Sequence, residues 1–341
     1  MQYFDCDYLE GAHPAILERL TATNSEKTPG YTTDAYCEEA RHKIRTACGC
    51  PDAEVHFLVG GTQTNATVID ALLRPHEGVA AVESAHINQH EAGAIEAGGH
   101  KVLALPHRDG KLYADTLKSY LRDFYADETY LHMVRPGMVY ISHPTEYGTL
   151  YTRAELEAIA GVCREYGIPL YLDGARLGYG LAAYGTDVTL PVIASLCDVF
   201  YIGGTKVGAL FGEAVVIPRP EPARQFFSIV KQHGALLAKG RLLGIQFDTL
   251  FTDDLYWKIS RHAVDMAMLL SRILTAKGYE FRFSPQTNQL FVLVDERKAE
   301  ELRRRVTFSL WERRDDVRVV IRLATSWATK EEDVRVLETL L

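Results

Sequence analysis

The sequence predicts an α/β fold: a large domain with a mainly parallel, doubly wound sheet, followed by a smaller α+β domain. Three observations carry that expectation. Short apolar, β-branched runs alternate with longer amphipathic segments over roughly residues 30–220, the pattern of a sheet covered on both faces. Glycines and polar residues stand directly after several of those runs, where ligands sit in such sheets. Further on, helical patterns are followed by strand-like ones, the mixture of a separate α+β unit.

A first strand over 55–59 turns at Gly60-Gly61 into a helix over 62–73. A strand over 78–82 precedes a helix over 89–97, and a strand over 102–105 precedes one over 115–124. The fourth strand, 138–142, leads to a strongly periodic helix over 153–166. Strands over 169–173, 198–202 and 214–217 complete the set. Helices about 235–250 and 256–277 follow, then a strand over 289–294 and a charged helix from Glu296. A strand over 317–324 and a helix from Lys330 close the chain. The expected division is an N-terminal arm with the large domain over 1–245 and the small domain over 246–341. At about 150 residues per domain, a length of 341 residues fits two.

Composition excludes several classes. A 47% hydrophobic and 24% charged chain can bury a core and is not disordered. With 37 Lys+Arg against 45 Asp+Glu, the net charge of −8 leaves no basic footprint for nucleic acid. Anionic small ligands would need local positive groups. No apolar run approaches the ~18 residues of a membrane span, so no membrane partner is expected. Met1-Gln2-Tyr3-Phe4-Asp5 shows no basic segment leading into an apolar run, and the 6 cysteines are scattered. A cytoplasmic protein with reduced thiols is the expectation.

The residues after the strands carry the chemistry. Gly60-Gly61-Thr62-Gln63-Thr64-Asn65 opens a helix and reads either as a phosphate cradle or as a plain turn with Thr62 as N-cap. Asp173-Gly174-Ala175-Arg176 follows the fifth strand, and taken alone Asp173 is a helix cap. Lys206, in Gly203-Gly204-Thr205-Lys206, sits among small residues after an apolar run, which suits a lowered pKa and a nucleophilic amine. Two patterns point elsewhere. Gly178-Tyr179-Gly180-Leu181-Ala182-Ala183 matches a dinucleotide fingerprint, but charged Arg176 separates it from its strand. His86 and His90 stand at i and i+4, yet Ile87 replaces the glutamate of the metalloprotease pattern, and no metal is expected. Together, a phosphate-type turn, a histidine, a carboxylate and a lysine at one sheet edge match what pyridoxal phosphate requires.

That set, Gly60 to Asn65, His86 with Glu91-Ala92-Gly93, Asp173-Gly174-Ala175-Arg176 and Lys206, resembles the low-specificity threonine aldolases. These belong to the β-eliminating lyase group of fold-type-I pyridoxal phosphate enzymes, which are aspartate aminotransferase-like. The resemblance runs over essentially the whole chain. It implies that Lys206 bonds the cofactor as a Schiff base, that Asp173 pairs with its ring nitrogen and that His86 stacks on the ring. Gly61 and Thr62 would hold the phosphate, and Arg176 and Arg322 the substrate carboxylate. His132 would lie near the substrate β-hydroxyl, with His132 or His86 as the base.

The resemblance further implies a homodimer or homotetramer with shared sites, Tyr31 being lent by a neighbouring subunit. Several positions depart from the family pattern. Cys6 stands where a serine often helps bind the carboxylate, Thr205 replaces a serine and His143 an asparagine. Lys239 stands near the place of an arginine that reaches a neighbour's phosphate. The implied activity is cleavage of L-threonine or L-allo-threonine to glycine and an aldehyde. Elimination on another amino acid is the alternative within the cofactor class. A non-catalytic binding protein of the same fold is the alternative from another class, against which Lys206, Asp173 and Arg176 speak.

Overall fold

The computed structural model describes residues 1–219 and 225–341. Seven strands form the large sheet: β1 (Glu54–Leu58), β2 (Glu77–Val82), β3 (Lys101–Leu105), β4 (Arg135–Ser142), β5 (Leu170–Asp173), β6 (Val199–Gly203) and β7 (Glu213–Ile217). Their order is β1-β7-β6-β5-β4-β2-β3. Only β7 runs against the rest, pairing antiparallel with both β1 and β6. Every residue of β5, β6 and β7 is buried, as in a sheet covered on both faces. Because β3 and β4 lie on opposite sides of β2, the direction of winding reverses there. Such a reversal opens a crevice at the carboxyl ends of the strands.

Three expectations needed correction. The helix expected over 89–97 is two single turns, His86–Gln89 and Ala94–Ala97. Ala92 (φ 52°) and Gly93 (φ 72°) are left-handed, which breaks the helix and turns Glu91 inward to 5% exposure. The N-cap of the helix Gly61–Leu72 is Gly60, with no side-chain cap, so Thr62 is already helical. The helix expected from 235 begins only at Arg241, and the helices Pro14–Thr23 and Ala35–Cys48 were not foreseen.

A second, antiparallel sheet contains β8 (Glu280–Phe281), β9 (Gln289–Asp295), β10 (Ser309–Arg313) and β11 (Arg318–Ala324), in the order β10-β11-β9-β8. The register of β10 on β11 slips between Leu310 and Glu312, leaving Trp311 as the extra residue of a bulge. The 22-residue helix Leu255–Ala276, about 33 Å long, spans both units. Its Ala263 and Val264 belong to the core of the large sheet, and Ala267 and Leu270 to that of the small one. The N-terminal residues cross over as well, Gln2–Tyr3 pairing in parallel with Val306–Thr307. Among the described residues, no helix is long and apolar enough to cross a membrane.

Candidate active site

The crevice is a cavity of about 580 Å³ lined by Tyr8, His86, Glu146, Arg176, Lys206, Trp311 and Arg322, among others. A deeper recess adds Gly61, Asn65, Ser142, Asp173 and Tyr201 and shares His86, Glu146, Arg176 and Lys206 with it. The carboxyl ends of β1, β2, β4, β5 and β6 therefore all contribute to one site.

Asp173 ends β5 and is 4% exposed. Its Oδ2 accepts the Tyr140 hydroxyl at 2.6 Å and the Asn65 amide at 3.1 Å; its Oδ1 accepts the Tyr201 hydroxyl at 2.6 Å and the Ala175 amide at 2.9 Å. Burial works to raise its pKa, but the Tyr140 and Tyr201 hydroxyls outweigh it and hold the carboxyl below its ordinary value. A buried carboxylate is thus kept charged with no cation bonded to it.

Lys206 follows β6, three residues past its last member, and is half-buried. Desolvation, then the neighbouring Arg176 guanidinium, hold its ammonium below the usual lysine range. Its backbone carbonyl accepts the Tyr179 hydroxyl, while its amine forms no hydrogen bond or ion pair among the described residues. That is the condition of an amine open to reaction.

His86 opens the turn after β2, and its Nδ1 lies 2.7 Å from Glu91 Oε1. An ionised carboxylate only accepts, so Nδ1 carries the proton and a neutral ring presents Nε2 as an acceptor. Asn65 Nδ2 donates to the same Glu91 oxygen at 2.7 Å, and Tyr171 donates to Asn65 Oδ1 at 2.7 Å. Glu146 accepts from the Ser142 hydroxyl at 2.7 Å and the His86 amide at 3.0 Å; burial pushes its carboxyl up.

Arg176 turns its fork to an acid of the chain itself. Its Nε and Nη2 donate to Asp7 at 2.7 and 3.0 Å, and Asn288 adds a bond to Asp7 at 2.9 Å. Asp7 is fully buried; desolvation is outweighed by Arg176, then Lys206, and its carboxyl falls to about 2. The two-pronged grip expected toward a substrate is therefore occupied, and only Nη1 of Arg176 remains. Arg322 differs: its Nη1 donates to Gln289 at 3.3 Å, and its Nη2 to the Asp5 carbonyl at 3.0 Å and Ser309 at 3.1 Å. All are neutral acceptors, and Nε is buried with no partner. Its guanidinium carbon stands 5.2 Å from the centre of the Trp311 ring.

Five expected residues line neither the cavity nor its recess; one is Thr62, exposed in the first turn of the helix Gly61–Leu72. His132 is exposed in the turn Tyr130–His132, before the amino end of the 8-residue β4, whereas the site is at the carboxyl ends. A strand of that length spans about 26 Å, so His132 is not brought to the site of its own chain. Tyr31 is 44% exposed, with the Lys231 ammonium 4.6 Å from its ring. Its amide donates to the Ala238 carbonyl at 3.0 Å, which sets it beside exposed Lys239 on the surface. Cys6 is half-buried between Asp5 and Asp7, off the cavity wall. Desolvation and those two acids raise its thiol pKa, against a Tyr8 backbone bond.

Sequence reading missed Asp7, Glu146, Trp311 and the roles of Tyr140 and Tyr201. The tyrosines left one signal: a phenol inside a buried apolar run must find a partner for its hydroxyl, and a carboxylate at the end of the next strand can serve. Asp7 left none, since nothing local shows that the N-terminal segment reaches across both sheets.

Fold and site define an enzyme of fold type I, the architecture built around pyridoxal phosphate. Among solved structures, aspartate aminotransferase from Thermus thermophilus shares the fold, with a TM-score of 0.73 at 18% identity over 100% of this chain and 90% of that one. A threonine aldolase from Leishmania major superposes with a TM-score of 0.96 at 43% identity, covering 100% and 98% of the two chains. The low specificity L-threonine aldolase of Pseudomonas aeruginosa is 30% identical over 307 residues, 89% of this chain and 87% of that protein. The beta-eliminating lyase family model matches residues 6–297, and the chain belongs to that family.

Proposed function

We propose that the chain cleaves L-threonine and L-allo-threonine to glycine and acetaldehyde, breaking the Cα–Cβ bond. The observation that carries this is the convergence, in one cavity, of an unpaired lysine, a buried charged aspartate and an arginine without an acid partner. The family and the aldolase names of its relatives support the choice among reactions.

The donor set suits pyridoxal phosphate. The helix Gly61–Leu72 starts without a side-chain cap, so its first amides are free for a phosphate. A Cβ on Gly61 would approach the Tyr201 hydroxyl to 3.3 Å, narrowing the recess beside Asp173. Bound there, the cofactor supplies a ring that stabilises the negative charge left at Cα. Lys206 would hold it covalently, Gly61 and Thr62 would hold its phosphate, and His86 would stack on its ring. Asp173, kept charged by Tyr140 and Tyr201, would keep a proton on the ring nitrogen. Arg322 takes the substrate carboxylate, with Nη1 of Arg176 beside it. His86 accepts the β-hydroxyl proton at Nε2, while Glu91 fixes the ring through Nδ1. Tyr31 and Lys239, adjacent on the surface, would serve a neighbouring copy's site in a homodimer or homotetramer. The six unpaired thiols support a cytoplasmic location.

Product analysis with threonine, allo-threonine and serine tests the reading. Glycine and acetaldehyde from the first two are expected. A 2-oxo acid and ammonia with no glycine would replace cleavage by elimination. Borohydride treatment of the yellow protein should fix the cofactor to the peptide that contains Lys206.

A further inference from the structure

Glu213 is a buried acid that the reading above does not use. It opens β7 and is paired through its backbone on both sides, with Leu58 of β1 and Gly203 of β6. Its side chain is turned to the segment that carries Lys206: Oε1 accepts the Thr205 hydroxyl at 2.8 Å and Oε2 the Gly204 amide at 3.1 Å. Thr205 Oγ1 itself accepts the Gly212 amide at 3.0 Å, and its proton has a nearer acceptor in Glu213 at 2.8 Å than in the Gly212 carbonyl at 3.5 Å. Both carboxyl oxygens therefore face donors, the arrangement that favours the ionised form.

At 3% exposure, that ionisation is opposed by desolvation. Burial pushes the carboxyl up to about 8, against the Thr205 hydroxyl and the Lys206 ammonium. The other groups facing the pair already have assignments. Asp7 is matched by Arg176, and Asp173 is held by phenols and reserved for the ring nitrogen. Tyr8 stands with its ring centre 6.0 Å from Lys206 Nζ, and Tyr171, Tyr201 and Tyr256 are kept neutral by burial. Glu213 is the acid left over, bonded only to neutral donors on the two residues immediately before the reactive lysine.

We propose that Glu213 is a positioning residue for Lys206: its carboxylate fastens Gly204 and Thr205 and supplies the buried negative charge that holds the proton on the lysine nitrogen when the cofactor is bound. The inference rests on Lys206 being the residue that bonds the cofactor. The test titrates the visible band of the cofactor-loaded protein, which reports the proton on that nitrogen. In Glu213→Gln the midpoint should fall by about one pH unit, a roughly tenfold weaker hold on the proton. Glu213→Asp, which keeps the charge, should return it more than halfway.

Thr205→Val removes a donor from Glu213 and raises its pKa further, so its midpoint should fall as well. This variant carries the test if Glu213→Gln does not fold. An unmoved midpoint in Glu213→Gln, or in Thr205→Val where that variant is needed, overturns the proposal. So does an equal shift in Glu213→Asp. The two readings fail separately. No borohydride-fixed cofactor on the Lys206 peptide sinks the functional reading, whereas a fixed cofactor with an unmoved band sinks only the role of Glu213.

Discussion

In the proposed function Arg322 takes the substrate carboxylate, and its readiness for that has a local cause. Its guanidinium is held by three neutral acceptors and stands over Trp311, so its charge is aimed without being neutralised. Trp311 can serve as that platform because it is the extra residue of a bulge, and bulges re-aim a side chain. A face-on cation–π contact contributes about 1 kcal/mol. Trp311→Leu should therefore raise KM for threonine roughly fivefold while kcat changes less, with Trp311→Phe in between. An unchanged KM in steady-state kinetics would remove Trp311 from the carboxylate site. Lys206 draws attention in the sequence because it stands among small residues after an apolar run, whereas Asp173 alone reads as a helix cap and Arg322 enters only through the resemblance. Trp311 is not legible there, since a register slip between two strands leaves no mark in either one.

Two strand ends bring the reactive groups together, and the glycines after them decide how closely. A Cβ at Gly174 would collide with the Tyr201 carbonyl of β6, and one at Gly203 with the Ala175 carbonyl. The backbones after β5 and β6 meet there, which sets the spacing of Asp173 and Lys206. Gly174→Ala should separate the strand ends, at a cost of roughly 1–3 kcal/mol, and reduce cofactor occupancy. Thermal melting and the visible band measure both effects, and a native melting temperature with full colour would refute the argument. All seven large-sheet strands and the 153–166 helix were legible, because apolar runs and helical periodicity are local properties. The broken helix after β2 was not: its period continues through Ala92 and Gly93, and only the inward pull of Glu91 on His86 and Asn65 explains the left-handed break. The distance of His132 from its own chain's site was not legible for a related reason, since position in the chain does not say which end of a sheet a loop occupies.

Taken as a whole, the molecule gives most of its buried polar groups a partner, and His143 is among the described residues left without one. It is fully buried between β4 and the neighbouring segments, with neither ring nitrogen bonded. Desolvation, then the charge of Lys111, lower its pKa to about 4. The unfolded chain takes a proton at this residue near the ordinary 6.5, whereas the folded one resists until about 4. Between those values the unfolded state binds more protons, so stability is lost as the pH falls through that window. From pH 7 to pH 4.5 the expected loss from this one residue is about 2 kcal/mol. Asp7 acts in the same direction but lower, its contribution disappearing only as the pH falls toward about 2. The two groups therefore separate on the pH axis. His143→Phe removes the first titration together with the unmet hydrogen-bonding demand. Urea unfolding at pH 7 and pH 4.5 should show a smaller drop for His143→Phe than for the native chain, by about 2 kcal/mol. Equal drops in the two proteins would mean that the acid sensitivity arises elsewhere.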